Sequence, residues 1–270
     1  MRPVKPTPLH INRFDACEST NQLLLSAAEA GAPAGTVYVA REQTAGRGRR
    51  GRSWLAEPDK TLAFSLLWSF PAKPGVTNGL SLAVGLGIVR ALGDQGLGAC
   101  KAGYRIGLKW PNDILLRAPD GSDAKAGGIL IESVIRRTAQ GDREIAVVIG
   151  VGLNCLPSVT INAAVTGQPV AVLADAYETT DFLAPDRLLD VVLKALQQTL
   201  SEFTHGGFAA LRQEWQAAHL WLGAAVRVSE ANEAFLDGEV RGVDEDGALV
   251  IATPAGIERV ITGDVSLRKV

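Results

Sequence analysis

The sequence has no long uninterrupted hydrophobic segment, and this absence narrows the class of protein. Its 270 residues are 47% hydrophobic, but glycine, serine or a charged residue interrupts each apolar stretch well before the roughly 18 residues of a membrane-spanning helix. The first eight residues carry prolines and charges instead of the apolar core of a signal peptide. We therefore expect a cytoplasmic protein.

Cysteine is also scarce. Cys17, Cys100 and Cys155 are odd in number and lack the spacing of metal ligands. Neither a disulfide framework nor a zinc site is expected, and we interpret the thiols as buried or incidental. The sequence predicts no metal site built from protein side chains.

An excess of charge of one sign is missing as well. The chain has 27 Lys and Arg against 29 Asp and Glu, a net charge of −2, which argues against a general polyanion-binding surface. Residues 46–54, Gly-Arg-Gly-Arg-Arg-Gly-Arg-Ser-Trp, nevertheless hold four cations, three glycines and no acid. Glycine lets the backbone approach a ligand, and guanidinium groups match carboxylate and phosphate oxygens. The segment predicts a site for a small anion, although a solvated turn or an RNA-binding tract would have the same composition.

The hydrophobic pattern indicates an α+β domain over residues 1–221 and a small β domain over 222–270. Helical spacing of apolar residues predicts three helices, the first capped by Ser19 or Thr20, over 21–30, 78–93 and 186–204. Short β-branched and aromatic segments predict strands over 36–40, 61–69, 105–110, 128–135 and 144–152. After Gly223 further strands are expected over 224–229, 234–243, 247–252 and 257–262. The irregular order favours a mixed sheet with packed helices over a strict βαβ repeat.

Several short motifs follow one another along the chain: Ser19-Thr20-Asn21, Lys109-Trp110-Pro111-Asn112-Asp113-Ile114, Lys125-Ala126-Gly127-Gly128-Ile129-Leu130, Gly150-Val151-Gly152-Leu153-Asn154 and Gly263-Asp264-Val265-Ser266-Leu267-Arg268. With the arginine–glycine segment they resemble the biotin protein ligases over nearly the whole chain. The resemblance implies a catalytic domain of the class II synthetase or biotin–lipoate ligase type, followed by an SH3-like β-barrel. No DNA-binding helix-turn-helix region precedes the motifs, so the resemblance is to single-function ligases without a nucleic-acid partner.

The chemistry that the resemblance implies has two stages. The carboxylate of biotin attacks the α-phosphate of ATP, giving biotinyl-5′-AMP and pyrophosphate, and a lysine of a biotin carboxyl carrier protein then displaces AMP. Positioned cations and amide donors suit both stages, because negative charge concentrates on phosphate or carbonyl oxygens. ATP with Mg²⁺ is the implied co-substrate, biotin the substrate and the carrier protein the partner. An exposed sheet edge would support pairing of two copies, as in many relatives.

The resemblance also assigns catalytic roles to charged residues. It implies that Arg47 contacts the biotin carboxyl and α-phosphate, that Arg49 assists at the phosphates, and that Lys125 bridges both groups. Asp113 is placed beside the reacting carboxyl or lysine. Composition alone would make Lys125 an idle lysine in a polar loop and Asp113 a turn former. The preceding segment 117–124 is longer than the hairpin common in the family.

Ligand-binding residues follow from the same resemblance. Polar contacts to the ureido ring of biotin are implied for Ser19, Thr20 and Gln43. Positions where a side chain would collide with ligand are implied at Gly46, Gly127 and Gly128. Contacts to adenine are implied for Asn154 and for Trp54, which would otherwise be an unusually exposed aromatic residue.

Two other classes of protein share part of this pattern. Lipoate ligases share the fold and the adenylate chemistry, but their Arg-Arg-x-x-Gly-Gly-Gly and His-Asp-x-x-Asn patterns are missing. A non-enzymatic RNA-binding protein would need further basic clusters and aromatic platforms, against which the net charge argues. No Gly-x-x-x-x-Gly-Lys-Ser/Thr motif is present, so P-loop chemistry is not expected.

Overall fold

The computed structural model describes residues 7–93, 99–138, 140–158, 169–230, 233–261 and 265–270. A seven-stranded mixed sheet has the order β1-β2-β3-β7-β6-β5-β4, in which only β1 and β2 are parallel neighbours. Its strands are β1 His10–Cys17, β2 Thr36–Gln43, β3 Thr61–Pro71, β4 Arg105–Lys109, β5 Asp113–Arg117, β6 Asp123–Arg137 and β7 Arg143–Asn154.

Four α-helices lie within the described residues: α1 Thr20–Glu29, α2 Leu80–Leu92, α3 Pro185–Gly206 and α4 Arg212–Ala218. Ser19 caps α1, because its side-chain oxygen accepts from the Gln22 N–H. Helix α2 is buried on more than one side. A Cβ at Gly85 would lie 3.0 Å from Leu108, and one at Gly87 would lie 3.0 Å from Leu196 on α3. None of these helices is long and apolar enough to cross a membrane.

The central strands are buried on both faces. On one face Leu67 and Val148 pack with Leu24 of α1, whereas Leu66 and Ile149, one residue away, belong to the larger core that holds α2 and α3. Successive side chains of a strand point to opposite faces, so a strand covered on both sides needs a continuous apolar sequence. The segment Thr61–Phe70 has this pattern.

The C-terminal residues form a five-stranded antiparallel sheet of order β11-β10-β9-β8-β12. Its strands are β8 Ala225–Glu230, β9 Glu233–Val243, β10 Leu249–Thr253, β11 Gly256–Val260 and β12 Val265–Lys269. Val226, Leu249 and Ile251 belong to the same buried cluster as the first sheet. The Trp110 Nε1–H donates to the Gly247 carbonyl at 3.1 Å. This sheet therefore packs directly on the rest of the molecule, while its closure as a barrel stays a prediction.

The structure corrects the position of Lys125, which was expected in a polar loop. Strand β6 begins at Asp123, so Lys125 lies in a strand, and the polar turn is confined to residues 118–122. The Lys125 N–H donates to Pro169 O at 2.8 Å, and its carbonyl accepts from the Ala171 N–H at 2.9 Å. A register shift against β5 places Lys125 opposite Leu115 and Gly127 opposite Ile114. Strand β5 on one side and the bridge to residues 169–171 on the other therefore fix the backbone of Lys125.

Strands β1, β5 and β12 and helix α4 were not predicted. β1 is mostly exposed and has no apolar face to signal it. Of the terminal motif, Gly263 and Asp264 lie outside the described residues, as does position 262 of the strand expected over 257–262. Among the described residues Cys17, Cys100 and Cys155 form no disulfide, and burial raises the pKa of Cys155 to about 12.

Candidate active site

A cavity of about 620 Å³ lies over the strand face beside α1 and reaches the C-terminal sheet. It brings together nine of the predicted site residues: Ser19, Thr20, Gln43, Arg47, Arg49, Trp54, Asp113, Lys125 and Gly128. Gly46, Gly127 and Asn154 do not line it. Residues that were not assigned a role complete the wall, among them Asn21, Lys109, Asn112, Gly152, Leu267 and Arg268. Segments far apart in sequence thus meet at one site.

A polar network forms one end of this cavity at the start of α1. The Gln43 side-chain oxygen accepts from the Thr20 N–H at 2.8 Å and lies 3.2 Å from the Thr20 hydroxyl. The Ser65 hydroxyl lies 2.6 Å from Asn21 Oδ1, and the Asn21 amide donates to Glu132 Oε2 at 2.9 Å. Because these partners fix the side chains, the network is preorganised to form hydrogen bonds with a polar edge of a ligand.

The arginine–glycine segment is a tight hairpin over the cavity mouth. The Gly48 N–H donates to Arg52 O at 2.7 Å, and the Trp54 N–H donates to Gly46 O at 2.8 Å. At the tip Arg50 and Gly51 have φ of 62° and 69°. Arg49 donates to Asn112 Oδ1 at 3.2 Å, and Arg47 lies 3.7 Å from Glu132 Oε1. Each of these two guanidinium groups therefore contacts a side chain outside the hairpin.

Trp54 is not the exposed aromatic residue that the sequence indicated. Its indole ring is half-buried and lies on Gly152, where a Cβ would overlap the ring. The Lys125 Nζ lies 5.8 Å from the ring centroid. Within the described part of the chain, the buried Nε1–H has no hydrogen-bond partner. A donor without a partner in a binding cavity is suited to an acceptor on a ligand.

Three residues predicted to contact ligands also have structural roles within the protein. A Cβ at Gly46 would overlap Trp54 O, and one at Gly127 would lie 2.8 Å from Gly152 O, so packing within the protein already requires glycine there. Asn154 is buried and donates to Ala171 O at 3.1 Å and to Lys125 O at 3.4 Å. Its amide holds the strand that carries Lys125.

An ion-pair cluster lines the cavity nearer the start of β6, at Lys125, whereas the polar network contacts β6 at Leu130 and Glu132. Asp113 Oδ1 lies 2.6 Å from Lys125 Nζ, and Oδ2 lies 3.3 Å from Lys109 Nζ. Burial raises the pKa of Asp113, but the two lysines outweigh it and hold that pKa below its usual value. Burial lowers the pKa of Lys109, and Asp113 partly offsets the effect. Asp113 is therefore an ionised carboxylate between two cations.

Lys109 was missed as a site residue although its motif was recognised. It ends β4, four residues before Asp113, and a three-residue turn brings the two side chains together. The signal was a lysine closing an apolar strand, where an unpaired charge would be costly. Asn21 and Arg268 carried no comparable signal, because their approach to the cavity depends on contacts distant in sequence.

His219 supports the backbone at Trp110, the residue after Lys109. It is buried, its ring stacks on Trp215 with centroids 4.8 Å apart, and its Nε2 accepts from the Trp110 N–H at 3.5 Å. Among the described residues its Nδ1 has no partner. Burial lowers the pKa of His219 to about 4, so the ring is neutral in the folded protein at pH 7.

The stability of the protein should fall as the pH is lowered from 7 to 5. The unfolded state binds a proton at His219 near the ordinary pKa of 6.5, whereas the folded state does so only near 4. The stabilisation is therefore fully present above 6.5 and is lost as the pH falls towards 4, by about 2 kcal/mol between pH 7 and pH 5. Urea unfolding at both pH values measures it. His219→Gln should remove most of this pH dependence, and an unchanged slope in that variant would refute the assignment.

Comparison with known proteins identifies two matching family models. The biotin/lipoate A/B protein ligase family matches residues 14–154, and the biotin protein ligase C-terminal domain matches residues 222–268. The chain is 32% identical over 250 residues to the biotin–[acetyl-CoA-carboxylase] ligase of Paracoccus denitrificans, covering 92% of this chain and 96% of the relative. It is 33% identical over 253 residues to the enzyme of the same name from Mycobacterium tuberculosis, covering 92% and 85%.

Among solved structures, the biotin protein ligase of Aquifex aeolicus in complex with biotin and ATP superposes with a TM-score of 0.74. The two sequences are 25% identical, and the match covers 96% of this chain and 99% of the other. The likeness therefore extends over both sheets.

Proposed function

Because the chain belongs to the biotin/lipoate A/B protein ligase family, we propose that it activates biotin with ATP and transfers it to a lysine of a carboxyl carrier protein. One observation carries the proposal. A single cavity places a fixed polar network at one end and the Lys125–Asp113–Lys109 cluster at the other, with Arg47 and Arg49 above. Such a cavity suits a ligand with a polar ring at one end and a carboxylate at the other.

In the first stage the ureido edge of biotin meets Ser19, Thr20 and Gln43, so that its carboxylate points towards Lys125. The cations Lys125, Arg47 and Arg49 stabilise the charge that develops when a carboxylate oxygen bonds to the α-phosphorus and pyrophosphate leaves. No group of three His, Cys, Asp or Glu side chains in the described ranges is placed to hold a metal ion. Mg²⁺ is proposed to arrive on the phosphates of ATP.

In the second stage Asp113 is the group suited to receive the acceptor amine. An amine attacks only when it is neutral, and a carboxylate within hydrogen-bond distance orients it and takes its proton. The two lysines hold the pKa of Asp113 low, so the carboxylate is available as an acceptor throughout the neutral range. AMP is the leaving group, and an amide bond forms.

The C-terminal sheet is proposed to complete the site. Leu267 and Arg268 of β12 line the cavity, so residues 222–270 contribute directly to it. We assign residues 1–221 to the catalytic domain and 222–270 to an SH3-like domain that supports ATP use and acceptor recognition. The two share a buried core, so the C-terminal domain gains stability from docking on the catalytic domain.

The proposal is tested with a carrier-domain fragment that has one exposed lysine. With biotin and Mg·ATP, intact-mass analysis should show the gain of one biotin per fragment. Lipoate in place of biotin should give no gain, and a Lys→Arg fragment is the acceptor control. A gain with lipoate alone would identify a lipoate-type ligase, and no gain with either substrate would remove the ligase assignment.

The arginine–glycine hairpin should become protected when ligands bind. Gly46, Gly48 and Gly51 make an ordered conformation entropically costly, and four arginines repel one another until an anion arrives. Trypsin cleavage within residues 47–52 should slow by about tenfold or more with biotin and ATP at saturating concentration. Cleavage after Arg137, which does not line the cavity, is the internal control. Equal cleavage with and without ligands would reject a closing loop.

Self-association is proposed along the first sheet. β1 ends the sheet order, and no strand among the described residues pairs with its outer edge, so a second copy can extend the sheet there. Sedimentation velocity of the apo protein and of the protein with biotin and ATP would show dimerisation as a shift to a faster species. A single monomer boundary in both samples would rule it out.

A further inference from the structure

The indole ring of Trp221 lies between the C-terminal strand and the ion-pair cluster of the active site. Trp221 follows α4 and is buried. The Lys109 Nζ lies 4.7 Å from the ring centroid, and the Lys269 Nζ of β12 lies 5.3 Å from it. An indole face attracts a cation through the quadrupole of the ring, and the attraction is stronger where water is excluded. The ring therefore offers Lys109 a second partner besides Asp113.

Asp123 fixes the edge of that ring. The side chain of Asp123 is 6% exposed and accepts from Trp221 Nε1 at 2.9 Å, from Lys269 Nζ at 2.6 Å and from Arg117 Nε at 2.6 Å. Arg117 also donates to the carbonyl of Leu220, the residue before Trp221, at 2.9 Å. Both the backbone and the indole N–H of Trp221 are thus held in place.

Trp221 and Asp123 are connected to Asp113 and Lys125 in two ways. Asp123 lies two residues before Lys125 on β6, and side chains two residues apart in a strand share a face. Through the ring, Trp221 contacts Lys109, which contacts Asp113, which contacts Lys125. Arg268 of β12 also acts on Lys109 electrostatically.

We propose that Trp221, fixed by Asp123 and Lys269, is a positioning residue that holds the Lys109 ammonium against Asp113 and thereby sets the Asp113–Lys125 pair. The inference rests on the proposed function for the roles of Asp113 and Lys125. The contact of Lys269 on β12 with Trp221 and Asp123 thereby has a role in the reaction. A flexible lysine has many rotamers, and the ring restricts Lys109 to those that face Asp113.

Two readouts separate positioning from simple packing. The first is the kinetics of biotin-dependent exchange of pyrophosphate into ATP, and the second is the labelling rate of the Lys109 amine by acetic anhydride, followed by mass spectrometry. The labelling readout does not require activity. Exposed Lys194 on α3 is the labelling control, and thermal unfolding with calorimetric biotin titration shows that each variant is folded.

Trp221→Leu removes the ring, and we expect kcat for exchange to fall about tenfold, with the KM for biotin changed by less than about twofold and faster labelling of Lys109. Trp221→Phe keeps an aromatic face and loses only the bond to Asp123, so it should restore most of kcat and of the protection. Adding Lys109→Met to Trp221→Leu should cause no further loss beyond that of Lys109→Met alone, because both act through one contact.

Equal losses in Trp221→Phe and Trp221→Leu, or effects of Trp221→Leu and Lys109→Met that multiply, would overturn the positioning role. If the wild-type protein shows no exchange at all, the proposed function fails, and the labelling of Lys109 alone decides the positioning contact. If exchange is normal in every variant, the function stands and the inference falls.

Discussion

Replacement of Lys125 with alanine should slow adenylate formation by about 100- to 1000-fold, a loss of about 2.7–4 kcal/mol of transition-state stabilisation. Its Nζ lies in the cavity wall 2.6 Å from Asp113 Oδ1, and hydrogen bonds to β5 and to residues 169–171 fix its backbone. The cation is therefore already held where negative charge develops at the α-phosphate. No side chain has to rearrange to stabilise that charge. Single-turnover formation of biotinyl-5′-AMP measures the change, while calorimetry should show biotin binding much less affected.

The matched control is Lys194→Ala, which removes an exposed lysine from α3 and should leave adenylate formation unchanged. Lys125→Met keeps most of the length of the side chain and should behave as Lys125→Ala does, because the charge is what is lost. Near-normal adenylate formation in both Lys125 variants would show that another cation, such as Lys109, serves the α-phosphate.

Asp113→Ala should have the largest effect on stability, a loss of about 3–5 kcal/mol. The side chain is 11% exposed, and its removal leaves Lys109, at 9% exposure, without its counter-ion in a buried site. Urea unfolding at pH 7 measures the loss. Lys109→Met combined with Asp113→Ala should recover much of it, because replacing both charges with apolar groups avoids an uncompensated buried charge.

The pH dependence of Asp113→Ala gives a second check on that mechanism. Burial lowers the pKa of Lys109, and in the variant Asp113 no longer offsets the effect. The unfolded lysine keeps its proton up to its ordinary pKa of 10.5, so the stability of the variant should rise as the pH increases through the lower folded pKa towards 10.5. If the loss of stability in Asp113→Ala does not depend on pH, or if it persists in the double variant, then lost packing and not an unpaired charge destabilises the protein.

Sequence periodicity predicted the elements whose burial is one-sided or complete. Helix α3 shows a clear apolar stripe, and the segments of β3 and β7 are continuously apolar because both faces are covered. β1 was missed, since an exposed edge strand has no such pattern. The sequence indicates a loop at Lys125 because the turn at 118–122 and the first residues of β6 are polar or small, and the pairing with Val170 is not local.

The residues of the candidate site were predictable where a short motif carries the charged or polar groups. They were less predictable where packing within the protein determines the role of a residue. Nine predicted residues line the cavity, but Asn154 holds the Lys125 strand, and Gly46 and Gly127 make room for the protein's own backbone or side chains. The sequence indicates that Trp54 is exposed unless adenine covers it, whereas its ring already lies against Gly152. These roles depend on three-dimensional neighbours that lie far away in sequence.

The central claim is that this cavity joins biotin to AMP, and it is tested most directly by the exchange of labelled pyrophosphate into ATP. The account predicts exchange that requires biotin, saturates with it, is not supported by lipoate and is nearly lost in Lys125→Ala. Exchange supported by lipoate but not by biotin, or exchange independent of any added acid, would contradict it.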